Sequence, residues 1–255
     1  AVYSQYYTVG SDPWRVRWNI MRSENFRVIY PRPLDSLARV YLYEFEKARP
    51  LDQMGMKISM AEMPLVLHPY TIQSNATVAW APRRVDIFTT PEFAGGYADP
   101  WPRQLALHEG RHIAQMTHYT TGVFKWLHYL VGEQATGLGA GLYPTGWTLE
   151  GDAVHNETDF SEAGRGRDPN FLMFFKASFV EGDYRSYDRW RYGSFRNYTP
   201  SKYAFGYLVQ TSMRLSSGNY QMMGDIYHDF AYKWYDPSIW NKAFRKYTGK
   251  TGRKH

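Results

Sequence analysis

Two histidines four positions apart, with a glutamate directly after the first, occur at His108-Glu109-Gly110-Arg111-His112. On a helix these histidines stand one turn apart on the same face, so both imidazoles reach one cation. Glu109 then sits beside that cation, placed to take a proton from a bound water. The chemistry suited to such a group is hydrolysis by a metal-activated water. A pentapeptide of this pattern arises by chance in about one chain in a hundred of this length. Its meaning therefore depends on three further things: a helix around it, a third ligand, and an element that holds a substrate.

The chain has no cysteine, which excludes disulfides and thiolate metal sites and leaves His, Asp or Glu as the third ligand. Gly146-Trp147-Thr148-Leu149-Glu150-Gly151-Asp152-Ala153 supplies the best candidate, Glu150, on a separate predicted helix. A carboxylate in so apolar a turn is costly to bury unless it is paired or metal-bound. Glu157 follows two turns later on the same face. It is the rival ligand, or else a group that orients one of the histidine rings. His155, close behind Glu150, is a candidate hydrogen-bond donor to a developing oxyanion. Arg111 faces elsewhere on its helix and is expected to pair with Asp152 or Glu157. His68, His118, His128 and His228 read as core, capping or surface residues.

The elements that must position these groups are legible in part. Asp99-Pro100 predicts a helix start, with Asp as cap and Pro in the first turn, running from Trp101 to about His118 with the motif in its middle. Phe26 to Tyr30, Pro64 to His68, Ala76 to Trp80 and Val85 to Thr89 read as strands, the last two as a hairpin around Pro82-Arg83-Arg84. Asp35 is expected to cap a helix ending before Pro50. Residues 1–23 read as irregular, Pro91 to Gly96 as a turn, and 120–146 as a short helix followed by a mobile Gly-rich loop at 137–141. A helix is predicted from Trp147 to Asp159, then a loop over 161–169. Further helices follow over 170–180, 201–215, 219–233 and 237–247, the last capped by Asp236. Strands with helices first and helices only afterwards predict an α+β fold. Two subdomains are expected: 1–119, strand-rich and ending in the motif helix, and 120–255, mainly helical and carrying the third ligand.

The 255 residues carry a net charge of +6, and 18% are aromatic. Abundant Tyr and Trp suit a core as well as a cleft that binds peptide or sugar. Lys242, Arg245, Lys246, Lys250, Arg253 and Lys254 cluster near the end without a nucleic-acid motif, so they read as a frayed basic terminus and no nucleic-acid partner is expected. Thr248-Gly249-Lys250-Thr251 ends like a phosphate-binding loop, but Phe244 stands where that loop needs glycine. No apolar run is long enough to form a transmembrane segment.

His108-Glu109-x-Arg111-His112-x-x-Gln115 followed by Trp147-x-x-Glu150-Gly151-x-Ala153 resembles the gluzincin zinc metallopeptidases, in particular the peptidase MA-like domains of exported bacterial proteins. Asn25 to Pro31, Glu157-Thr158, Gly164 to Arg167 and Tyr203-x-x-Gly206-Tyr207 extend the resemblance over most of the chain. It implies a zincin-like fold in which a small mixed sheet precedes a helical part, zinc held by His108, His112 and Glu150, and Glu109 as general base. It further implies a peptide or protein substrate paired to an edge strand, for which 76–81 is favoured over 85–89 because Trp80 would offer a contact. The resemblance places a Tyr in the helix after the ligand helix, making Tyr203 the candidate oxyanion donor beside the metal, with His155 its competitor. An exported location, periplasmic, outer-membrane-associated or secreted, and cell-envelope association are expected on the same ground. Family members often carry a C-terminal β-propeller, which this sequence lacks. A catalytically silent peptidase-like binding or assembly module and an aromatic-rich carbohydrate-binding protein are the competing expectations.

Overall fold

Phe26, Val28 and Tyr30 alternate with Arg27 and Ile29, and this period of two forms the strand expected there. In the computed structural model, which describes residues 12–93, 97–142 and 145–250, that strand joins a five-stranded mixed sheet. β1 (Trp18–Arg22), β2 (Phe26–Pro31), β3 (Met63–His68), β4 (Ala76–Trp80) and β5 (Arg83–Phe88) lie in the order β1-β2-β3-β5-β4. β2, β3 and β5 are parallel, with Phe26 opposite Met63 and Leu65 opposite Val85. β1 and β4 are antiparallel strands at the two edges. The crossover from β2 to β3 is α1 (Asp35–Asp52), whose Tyr41, Leu42 and Phe45 are buried. Each such side chain contributes about 1.5–3 kcal/mol when fully removed from water.

Among the described residues every regular element after the sheet is helical: α2 (Trp101–Thr117), α3 (Gly122–Val131), α4 (Gln134–Leu142), α5 (Gly146–Asp159), α6 (Gly164–Arg167), α7 (Pro169–Val180), α8 (Tyr187–Tyr192), α9 (Lys202–Ser217), α10 (Met222–Tyr232) and α11 (Ile239–Thr248). The fold is therefore α+β, a small mixed sheet with a helical C-terminal part. One connected set of buried side chains runs from Phe26 to Tyr247. α2 packs between α1 and α5, and α5 packs on α9. Glycine makes the last contact close: a Cβ on Gly206 would stand 1.9 Å from the Trp147 carbonyl oxygen.

Several local expectations give way to tertiary structure. Within 1–23, read as irregular, β1 forms by pairing with β2; residues 1–11 lie outside the described residues. Asp35 does not cap α1; it is the first residue of the helix and its carboxylate accepts from the Tyr30 hydroxyl at 2.7 Å. Pro50 lies inside α1, where it costs one hydrogen bond near an end already short of partners. Asp99 does not cap α2 either; Pro100 occupies the cap position and Asp99 pairs instead with Arg103 at 3.6 Å. Residues 137–141 are not a mobile loop: they form the body of α4, where Gly139 admits the rings of Tyr119 and Phe124. Arg165 lies on the short α6 rather than in a loop, and α8 was not legible in advance. The expected turn at Pro91 to Gly96 falls partly on 94–96, outside the described residues. The basic cluster is not frayed through Lys246: its first members lie on α11, with Lys242 bound to Asp236 and Lys246 3.8 Å from Asp225. Arg253 and Lys254 lie outside the described residues.

Candidate metal centre

The helical spacing on α2 brings His108 and His112 edge to face, with ring centroids 4.8 Å apart. α5 crosses α2 and places one oxygen of Glu150 against both rings. Its Oε2 is 3.4 Å from Nε2 of His108 and 3.3 Å from Nε2 of His112. One ligand atom from each of the three residues lies within 4.8 Å of the others. Ligands about 2.1 Å from a shared tetrahedral ion stand roughly 3.4 Å apart; the two Glu150–histidine separations match that spacing, and the group could hold a metal ion.

The remaining ring nitrogens fix the tautomers. Gln115 donates its amide to Leu149 O and to Asp152 Oδ2, so its Oε1, 2.8 Å from Nδ1 of His112, must accept from that ring. Glu157 Oε2 accepts from Nδ1 of His108 at 2.9 Å. Arg165 Nη2 also stands 2.8 Å from this nitrogen, but two donors cannot bond each other; its bonds go to Glu157, through Nε at 2.6 Å and Nη2 at 2.8 Å. Both histidines thus turn Nε2 toward Glu150, sharing a proton with its carboxylate. Glu157, the rival candidate for third ligand, stands behind His108 and orients its ring. Burial alone would raise the Glu157 carboxyl, yet Arg165 and His108 outweigh it and hold it at about 2. Burial likewise opposes ionised Glu150, and the two histidines hold it well below the usual carboxylate range. Burial and Arg165 disfavour a charged His108, but Glu150 and Glu157 win and raise it to about 9. A dication there would take the place of the shared proton.

Below the site, Asp152 gathers α2 and α9 onto α5. It accepts from Arg111 at 2.8 and 3.0 Å, from Gln115 at 2.9 Å and from Arg214 at 3.0 Å. Of the two partners expected for Arg111, Asp152 is the one it meets. Arg111 also donates to the carbonyls of Asp52 and Met54.

Asp52 was not foreseen. It is fully buried at the end of α1, its Oδ1 accepts from Asn156 at 2.7 Å, and burial raises its carboxyl well above the usual range. Its Oδ2 packs on Gly110, where a Cβ would approach to 1.8 Å. The signals for it were weak: glycine in mid-helix, and an acid at a helix C-terminus, where the dipole opposes it.

A cavity of about 580 Å³ opens over the three ligands, lined by residues that include Ala76, Val78, Glu109, Arg165, Lys202 and Tyr203. Glu109 is nearly buried, and its carboxylate makes no hydrogen bond or ion pair among the described residues. Tyr203 lies 6.2 Å from the His108 ring, with the Arg165 guanidinium 4.9 Å above its own. Burial, reinforced by Glu150, keeps its hydroxyl protonated far above neutral pH. Lys202 bonds Glu150 Oε1 at 2.7 Å. His155 does not reach this cavity: it stacks on Tyr207 at 4.4 Å and its Nε2 meets Thr211 at 2.8 Å, because its position on α5 faces α9.

β4, not β5, is the open edge beside the cavity. Asn75 O accepts from Phe88 N, so Asn75, Thr77 and Ala79 exchange bonds with β5 by antiparallel alternation. The main-chain groups of Ala76 and Val78 therefore point away from the sheet. Trp80 offers no contact there: it is 3% exposed and packed inside.

No family model, curated protein or solved structure matches this chain.

Proposed function

We propose that the protein is a zinc-dependent metallopeptidase of gluzincin type. The observation that carries this reading is the convergence of His108, His112 and Glu150, with ligand atoms within 4.8 Å of one another, beside an unpartnered Glu109. Zinc bound by these three residues would supply a Lewis acid that activates water near neutral pH and polarises a scissile carbonyl. Glu109 accepts the proton of the attacking water and returns it to the leaving amine. Tyr203, held protonated, donates to the oxyanion that develops on the carbonyl. An extended peptide adds to the free edge of β4, where Ala76 and Val78 present N–H and C=O groups. Glu157 and Gln115 keep the two imidazoles oriented, a role whose loss commonly weakens metal binding 10–100-fold. The exported, envelope-associated location remains part of this proposal through the sequence resemblance.

The test pairs metal content with cleavage of a peptide library by the zinc-loaded protein. Wild type is expected to bind one zinc and to cut; Glu109→Gln is expected to keep the zinc and lose cleavage by at least ~100-fold. Zinc bound equally by two equally inert proteins would instead favour a catalytically silent binding module. Failure to bind zinc would remove the metallopeptidase reading altogether.

A further inference from the structure

α3 and α4 form a hairpin turned at Gly132, whose φ is +62°. Its inner side is anchored by Phe124, Ala135 and Gly139. Its outer side is unusually apolar. Trp126 is 74% exposed, Tyr129 73% and Leu130 83%, and Val131, Leu138 and Leu142 are each about half exposed. A whole aromatic side chain presents about 150–250 Å², so at three-quarters exposure the two rings alone present roughly 220–370 Å², against about 300–600 Å² for the largest apolar patch on an ordinary monomer. The aliphatic residues extend it well beyond.

Charge around the patch says what covers it. Arg83, Lys125 and His128 line a hollow at its shoulder together with Tyr129 and Glu133. Glu133 is the only acid from Gly122 to Leu142; it accepts from Arg83 N at 2.8 Å and its other oxygen lies 3.8 Å from the Arg83 guanidinium, so it offsets part of that charge and leaves Lys125 the cation without an acidic partner on the hairpin. A second copy of the chain docking by the same face would bring Lys125 and Arg83 toward their own copies. An anionic surface would complement them, as it would the net charge of +6. Gly137 and Gly141 face open space on α4, with nothing within 4 Å of a Cβ at either. This smooth apolar ridge, Trp and Tyr beside cations, suits the acyl–headgroup boundary of a bilayer, which needs no matching side chains. No helix among the described residues is long and apolar enough to cross a membrane.

We propose that the α3–α4 hairpin docks the protein onto an anionic lipid surface, with Trp126 and Leu130 entering the bilayer boundary and Arg83 and Lys125 meeting lipid phosphates. α4 packs on β4, the strand that also lines the cavity. The inference stands apart from the metallopeptidase reading, since it requires no catalysis.

The test is flotation of the full chain with phosphatidylglycerol vesicles, with phosphatidylcholine vesicles as the uncharged comparison. Wild type is expected to float with the first and much less with the second. Trp126→Ser and Leu130→Ser should each weaken binding by about tenfold, with an unchanged thermal midpoint because both side chains are exposed. Brominated phosphatidylglycerol should quench wild-type emission more than that of Trp126→Phe. Equal flotation of wild type and the double serine variant would overturn the proposal. So would a wild-type chain that ignores vesicles, whether it runs as a monomer or as a dimer that the same substitutions dissolve.

Discussion

Replacing Gly206 by alanine should loosen the molecule where α5 meets α9. An ordinary Cβ–oxygen contact is no shorter than 3.4 Å, and here the Trp147 carbonyl oxygen would be at 1.9 Å. The helices must therefore separate by roughly 1.5 Å, and the obstacle is main chain, which cannot rotate away. Overpacking of buried side chains costs about 1–3 kcal/mol, and a backbone clash belongs at or above the top of that range. The better helix propensity of alanine returns about 1 kcal/mol. A net loss of about 2–4 kcal/mol follows, or a thermal midpoint lower by roughly 4–16 °C for a chain of this size. Gly137→Ala is the matched control. It lies in mid-helix with open space around its Cβ, so it should raise the midpoint by a few degrees at about 1 kcal/mol. Calorimetry or circular dichroism reads both. If Gly206→Ala melts with the wild type, the close crossing that sets Glu150 opposite α2 is wrong, and the metal geometry with it.

The two glutamates of α5 should separate in a zinc competition assay. Glu150→Gln is expected to weaken zinc by more than ~100-fold and Glu157→Gln by roughly 10–100-fold; a reversed order would exchange their roles. His118 is buried against Tyr227, and burial lowers its imidazole to about 4. Its folded value lies below the unfolded ~6.5, so its contribution is present above that pH and is lost as pH falls from ~6.5 toward 4, at about 1.4 kcal/mol per pH unit. His118→Phe should flatten that part of the stability profile, and an unchanged slope in denaturant titrations across this range would contradict it. Gly110→Ala, which drives a Cβ into buried Asp52, should cost several kcal/mol, seen as aggregation or a sharply lowered midpoint; a wild-type midpoint would show that Asp52 does not sit there.

Local patterns suffice for much of this protein. Alternation in Phe26 to Tyr30 marks a strand with one face in the core, and the short apolar run Pro64 to His68 marks one buried on both faces. A four-residue histidine spacing on a predicted helix leads to a two-imidazole face, since helical geometry depends only on near neighbours. Absence of cysteine limits the third ligand by chemistry alone. Beyond this, sequence reasoning reached only sets of candidates. Glu150 and Glu157 share a face of α5, and nothing local says which meets Nε2 and which Nδ1 of a histidine on another helix; the crossing of α2 and α5, with Arg165 arriving from α6, decides it. His155 was a plausible donor until α9 took that side of α5. Asp99 and Asp35 looked like caps, but competing partners drew them away. Asp52 meets Gly110 across a long stretch of chain, and the free edge of β4 exists only because the sheet order sets it outermost. Contacts distant in sequence are chosen by the packing of whole elements, and that choice leaves little trace in any short run of residues.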